Sequence, residues 1–105
     1  MALRDSHCRP CRAGHQKLTP PDAARLAREV PGWAITDERL VRQFQFPTFA
    51  AAIAFVNRMA AVAEAEGHHP DFAVHYDRVD VSIWTHATGG LSENDFILAA
   101  KLTAL

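Results

Sequence analysis

The sequence predicts an α+β fold: a four-stranded antiparallel sheet with three helices packed on one face, in the order α-β-β-α-β-β-α. Three observations carry that prediction. From Thr48 to Gly67 apolar residues recur at three- and four-residue steps, the period of a helix. From Arg78 to Thr85 they alternate, the period of a half-buried strand. The strand-like runs also come in two pairs, each joined by a short polar turn, whereas a parallel α/β fold separates its strands by helices.

The 105 residues fit one domain, and 49% hydrophobic against 22% charged residues is the balance of a globular protein. A chain of this size buries roughly 65% of its unfolded surface, enough for one core and not for a deep pocket beside it. An active site here is therefore expected to be shallow or shared between subunits.

Residues Met1 to Lys17 are polar, contain Pro10 and Gly14, and show no periodicity, so they read as a flexible arm, with the domain proper at 18–105. Thr19 caps a first helix entered through Pro20 and Pro21, with Asp22 in its first turn and Ala23, Leu26, Ala27 and Val30 available for packing. Pro31-Gly32 stops it. Trp33 to Thr36 and Leu40 to Phe46 then read as a hairpin across Asp37-Glu38-Arg39, with Leu40, Arg42, Phe44 and Phe46 sharing one face.

The long helix begins near Thr48, places Phe49, Ala52, Ile53, Val56, Ala60 and Ala63 on its packed stripe, and ends at Gly67. Asn57, Arg58, Glu64 and Glu66 fall largely outside that stripe. Strands follow at Phe72 to Tyr76 and Arg78 to Thr85, joined near Asp77-Arg78, so that Phe72 lies roughly opposite Ile83. After Gly89-Gly90, Ser92 opens the last helix with Asp95 three residues on, a short-armed capping box. Phe96, Ile97, Ala99, Ala100 and Leu102 supply its packing surface.

Charge excludes some functions. The net charge is -1 and the eleven Lys and Arg residues are scattered, which argues against direct nucleic-acid binding. The longest nearly uncharged stretch, Phe44 to Val56, falls short of the ~20 apolar residues of a membrane span. Arg4, Asp5, His7, Arg9 and Arg12 interrupt any secretory leader, and only Cys8 and Cys11 are present, so a cytoplasmic protein is expected.

Three segments put titratable groups where packing does not call for them. Gly67-His68-His69-Pro70-Asp71 lies between the long helix and the third strand, and Pro70 biases His69 toward extended geometry. Thr85-His86 closes the fourth strand on the Asp80, Ser82, Trp84 face, and Leu91 to Asp95 leaves the same end of the sheet. Pairing of the third and fourth strands therefore brings His68 and His69 near His86, with Asp95 within reach. Three imidazoles and a carboxylate suit general acid/base chemistry near neutrality.

Each group also has a plainer reading: His86 as a polar boundary residue, Asp95 as a helix cap, Glu64 as part of a solvated helix face. Three histidines also admit zinc, although adjacent His68-His69 chelates poorly, and we assign no metal ligand. The lone Cys8-Arg-Pro-Cys11 lacks a preceding strand and a second pair, so its thiols read as incidental. The fallback is a metal site completed by His7, His15 or another subunit.

The blocks Glu64-Ala-Glu-Gly-His68-His69-Pro70-Asp71, Thr85-His86 and Gly90-Leu91-Ser92-Glu93-Asn94-Asp95 closely resemble the pterin-4a-carbinolamine dehydratase family, over about Leu18 to Leu102 and including Trp33 and Phe44-Gln-Phe46. The resemblance implies dehydration of a 4a-hydroxytetrahydropterin to the quinonoid dihydropterin, without metal or organic cofactor, in recycling the pterin used by aromatic amino acid hydroxylases. By motif match it implies His68 and His86 as the acid/base pair, His69 as a pterin-orienting or proton-exchanging residue, Asp95 and Glu64 as site carboxylates, and Pro70 as part of the wall.

Departures from the family pattern are Phe72 at a position often Trp, Asn94 at a position often basic, and a bulky Trp84. They bear on substrate preference. The resemblance further implies a homodimer or homotetramer. It leaves two alternatives: a pterin-binding interaction module like the animal transcriptional dimerisation cofactors, and a relative acting on another pterin.

Overall fold

The computed structural model describes residues 2–9 and 17–105. It contains three helices and a four-stranded antiparallel sheet in the predicted order: α1 (Pro20–Ala27), β1 (Ala34–Thr36), β2 (Arg39–Gln45), α2 (Phe49–Glu66), β3 (Asp71–His75), β4 (Arg78–Ile83) and α3 (Glu93–Thr103). Short 3₁₀ turns lie at Leu3–Asp5 and His86–Thr88. The strands stand in the order β1-β2-β4-β3.

Local chemistry sets most boundaries. The Thr19 hydroxyl accepts from the Asp22 amide and Pro20 and Pro21 open α1. That helix ends at Ala27 instead of running to Val30, because Pro31 disfavours helical geometry before it; the Glu29 and Val30 amides reach back three residues, to Leu26 and Ala27. Val30 is still buried, so its packing role holds without the helix. Asp37 and Glu38, both at positive φ (51° and 60°), form a two-residue hairpin loop and pair Thr36 with Arg39.

The second hairpin turns at Tyr76-Asp77, with Tyr76 at φ 55°, and pairs His75 with Arg78. Phe72 therefore faces Val81 rather than Ile83. The slip from the expected register is two residues, an even number, so every side chain keeps its predicted face. Leu40, Arg42 and Phe44 stand beside Ile83, Val81 and Val79, as the alternation requires.

Helix α3 is the centre of the core. Phe96, Leu98 and Leu102 are completely buried, as are Leu40, Val79 and Ile83 of the sheet, and α1, α2 and β2 all touch α3. Each such side chain contributes roughly 1.5–3 kcal/mol of burial free energy. On α2 the buried residues are Ala52, Phe55, Met59 and Ala63. The predicted stripe was thus rotated: Phe49 is 50% exposed and Ala60 lies outside, because an alanine-rich helix has little amphipathic contrast and its large side chains, Phe55 and Met59, decide which side packs. Phe55 meets Phe44 and Phe46 at ring centroid distances of 4.6 and 5.1 Å.

Of the stretch predicted as an arm, residues 2–9 lie against the domain: Leu3 is buried, and Lys101 donates to the Arg4 carbonyl at 2.9 Å. Cys11 and His15, the remaining members of the cysteine-histidine motif, lie outside the described residues. No helix among the described residues is long and apolar enough to cross a membrane.

Candidate active site

The two halves of the site leave the sheet at one end. Helix α2 ends with the Gly67 amide bonded to the Glu64 carbonyl and the His68 amide to the Ala63 carbonyl, a Schellman termination that needs Gly67 at φ 65°. His68 is therefore delivered at a set angle, before Pro70 forces the chain into β3. On the other side β4 ends at Ile83. Thr85 then bridges Gly90, and His86 opens a 3₁₀ turn closed by Gly89 at φ 69°. His86 was expected on the strand; this turn places it instead beyond the strand end.

Asp95 ties the halves together. It is completely buried and accepts from the Ser92 amide at 2.8 Å and the Thr85 hydroxyl at 2.9 Å through Oδ2. Its Oδ1 lies 2.6 Å from Nε2 of His68, whose side chain is 13% exposed. Oδ2 thus makes the helix cap and Oδ1 meets His68, so one carboxylate serves both contacts. A carboxylate only accepts, so Nε2 of His68 carries the proton and Nδ1 is left as the ring's exchangeable nitrogen.

His86 is supported differently. Its exposed ring packs on Trp84 with centroids 3.9 Å apart, and the Arg39 guanidinium covers Trp84 at 4.6 Å. The indole N–H donates to Asp71 at 3.3 Å. The bulk of Trp84 gives His86 an aromatic platform.

His68, His69, Pro70 and His86 line one cleft of about 560 Å³. A larger depression, about 680 Å³, crosses the open face of the sheet past Val41, Gln43 and Ser82 and holds no histidine. The cleft brings together the three predicted histidines. Asp95 stands behind His68 and does not line it. Glu64 stays outside: its side chain is 80% exposed, 3.5 Å from His69 Nε2.

Two carboxylates line the cleft, Asp71 and Glu66, neither among the predicted site residues; Glu66 lies two positions beyond Glu64 on α2. Burial alone would raise its pKa, but hydrogen bonds from the Cys8 amide at 2.7 Å and from His7 at 3.0 Å, with Lys101 at 3.7 Å, outweigh that and hold it below the usual range. A sequence signal existed. An acidic residue in the last turn opposes the helix dipole and calls for cationic partners. The same burial, with the Glu66 carboxylate beside it, pushes the Cys8 thiol up to about 12, so Cys8 stays protonated and is no nucleophile near neutrality.

An antiparallel α+β domain whose cleft gathers three histidines, one of them on a buried carboxylate, holds the groups that acid/base chemistry uses, and comparison with known proteins identifies its family. Residues 16–105 match the family model described as pterin 4 alpha carbinolamine dehydratase. The chain is 48% identical to a Xanthomonas oryzae protein over 98% of this chain and 89% of that one, and 47% identical to one from Halorhodospira halophila over 100% and 98%. Both carry the name "Putative pterin-4-alpha-carbinolamine dehydratase". A Brucella melitensis structure titled transcriptional coactivator/pterin dehydratase superimposes with a TM-score of 0.81 at 35% identity, covering 85% of this chain and 97% of that one. The chain belongs to the pterin-4-alpha-carbinolamine dehydratase family.

Proposed function

We propose that the protein dehydrates 4a-hydroxytetrahydropterins to quinonoid dihydropterins by histidine acid/base catalysis, without metal or organic cofactor. The observation that carries this reading is the His68–Asp95 pair at 2.6 Å in the cleft that His86 also lines. Dehydration breaks the C4a–O bond, forms a C4a–N5 double bond, and must move two protons: one onto the departing hydroxyl, one off N5. His86, open to solvent, gives the first and regains it from water. His68 takes the second at Nδ1 and returns it to solvent after product leaves, while the buried Asp95 carboxylate offsets the charge that develops on the ring. His69, exposed at the cleft rim, orients the pterin, and Pro70 forms its wall.

The physiological setting consistent with this chemistry is recycling of the pterin oxidised by an aromatic amino acid hydroxylase, in the cytoplasm, by a homodimer or homotetramer of an 18–105 catalytic domain. A second reading, a pterin-binding interaction module, has the double title of the Brucella structure in its favour. One assay separates them. Formation of quinonoid dihydropterin from an enzymatically generated 4a-hydroxytetrahydropterin is expected to be accelerated by the protein, and His68→Ala and His86→Ala each to lower turnover by about 10²- to 10⁴-fold. A wild-type rate equal to the spontaneous one would sink the enzyme reading and favour the module.

A further inference from the structure

Resting on that reading of the cleft, we propose that the N-terminal segment is a working wall of the substrate site, with Arg9 as a substrate-binding residue and Asn94 as the clasp that positions it. The family model begins at residue 16, so this segment lies outside the family's core, yet Cys8 and Arg9 line the same cleft as His68 and His86.

The segment is built in. The Asn94 side chain, 7% exposed, accepts from the Arg9 amide at 2.9 Å through Oδ1 and donates to the Arg9 carbonyl through Nδ2, holding that one residue from both sides as a strand partner would. Next to it the Glu66 carboxylate takes the Cys8 amide, and the Cys8 thiol reaches the Asn94 carbonyl at 3.6 Å. Four polar contacts thus fasten two consecutive residues against α2 and α3. Ordering backbone this way is costly unless something is gained by it.

What is gained is Arg9. Among the described residues it is the one Arg or Lys in the cleft wall. Every fastening contact uses its backbone, and its guanidinium has no hydrogen bond or ion pair among the described residues. Arg9 is exposed and lines the cleft, and the five donors of its rigid fork suit a ligand with acceptor oxygens, such as the ring carbonyl or oxygenated side chain of a pterin.

The test is a double-mutant cycle in the full-length protein. Arg9→Ala removes the fork. Asn94→Asp adds an acidic residue to the first turn of α3, which favours the helix, but turns the donor facing the Arg9 carbonyl into an acceptor. Each single variant is expected to raise KM about tenfold with kcat within about twofold, and the double variant to be no worse than either single one, since Asn94 acts through Arg9. Arg9→Lys should recover part of the loss. Binding of a stable 7,8-dihydropterin, followed by quenching of tryptophan fluorescence, should show the same ratios whether or not the protein turns over 4a-hydroxytetrahydropterin. Unchanged dihydropterin affinity in Arg9→Ala, or additive losses in the double variant, would overturn the proposal. A wild-type protein without dehydratase activity would overturn only the proposed reaction.

Discussion

His68 and His86 line one cleft from opposite supports. His68 is largely buried, with Nε2 on a buried carboxylate, and that carboxylate is itself held by Thr85 and the Ser92 amide. His86 lies in the open on the face of Trp84, with no polar anchor among the described contacts, and the platform beneath it is clamped by Arg39 and Asp71. The first arrangement fixes a tautomer and a direction. The second leaves both ring nitrogens free to trade protons with water. The proposed proton transfers call for both properties, and the structure divides them between two side chains.

Breaking the anchored side should have the larger effect. Asp95→Asn places an amide where three donors converge on a carboxylate, and it no longer compels His68 Nε2 to carry the proton. Turnover is expected to fall about 10²-fold, with a loss of roughly 2 kcal/mol of stability from buried donors left poorly matched. Steady-state assay and chemical denaturation report the two parts. A variant with full turnover would show that the anchor is only a helix cap.

Trp84→Ala removes the platform on the open side and should lower turnover only about tenfold, because His86 keeps its backbone position in the turn and loses only the stacking that orients it. Stability should change less than in Asp95→Asn, since Trp84 is only part-buried. A larger drop than that of Asp95→Asn would reverse the ranking of the two supports.

The smallest effect concerns the wall between them. Glu66 is held below its ordinary 4.5 by the Cys8 amide, His7 and Lys101 against the opposing effect of burial. A carboxyl lowered on folding contributes stability that is complete above 4.5 and is lost as pH falls through the lower, folded value. Glu66→Gln should therefore cost about 1 kcal/mol near neutrality and flatten the acid limb of the stability profile below that pH. Thermal unfolding followed from neutral pH into that acid range would read both. An unchanged acid limb would show that the wall is not held by this charge.

How much of this was legible in the chain depended on how local the cause was. Thr19, Thr48 and Gly67 announced helix ends because capping is settled within one turn. The alternation around Val79, Val81 and Ile83 named the buried face of β4 because the strand period has no competing solution. The alanine-rich α2 misled, since its orientation rests on where Phe55 and Met59 find room. Glu66 escaped for the same reason: it and Glu64 look alike on a helix, and only the packing of residues 2–9 and Lys101 buries one and leaves the other exposed.

By itself the sequence determined the elements, their order, the faces of the strands and the three histidines at one end of the sheet, all consequences of short-range periodicity and turn chemistry. Tertiary structure alone decided which carboxylate meets which histidine, that Trp84 carries His86, and that Cys8 and Arg9 line the cleft. Those outcomes depend on contacts between residues far apart in the chain, such as Arg9 with Asn94, 85 positions apart, whose geometry is set by the packed core and by no local rule.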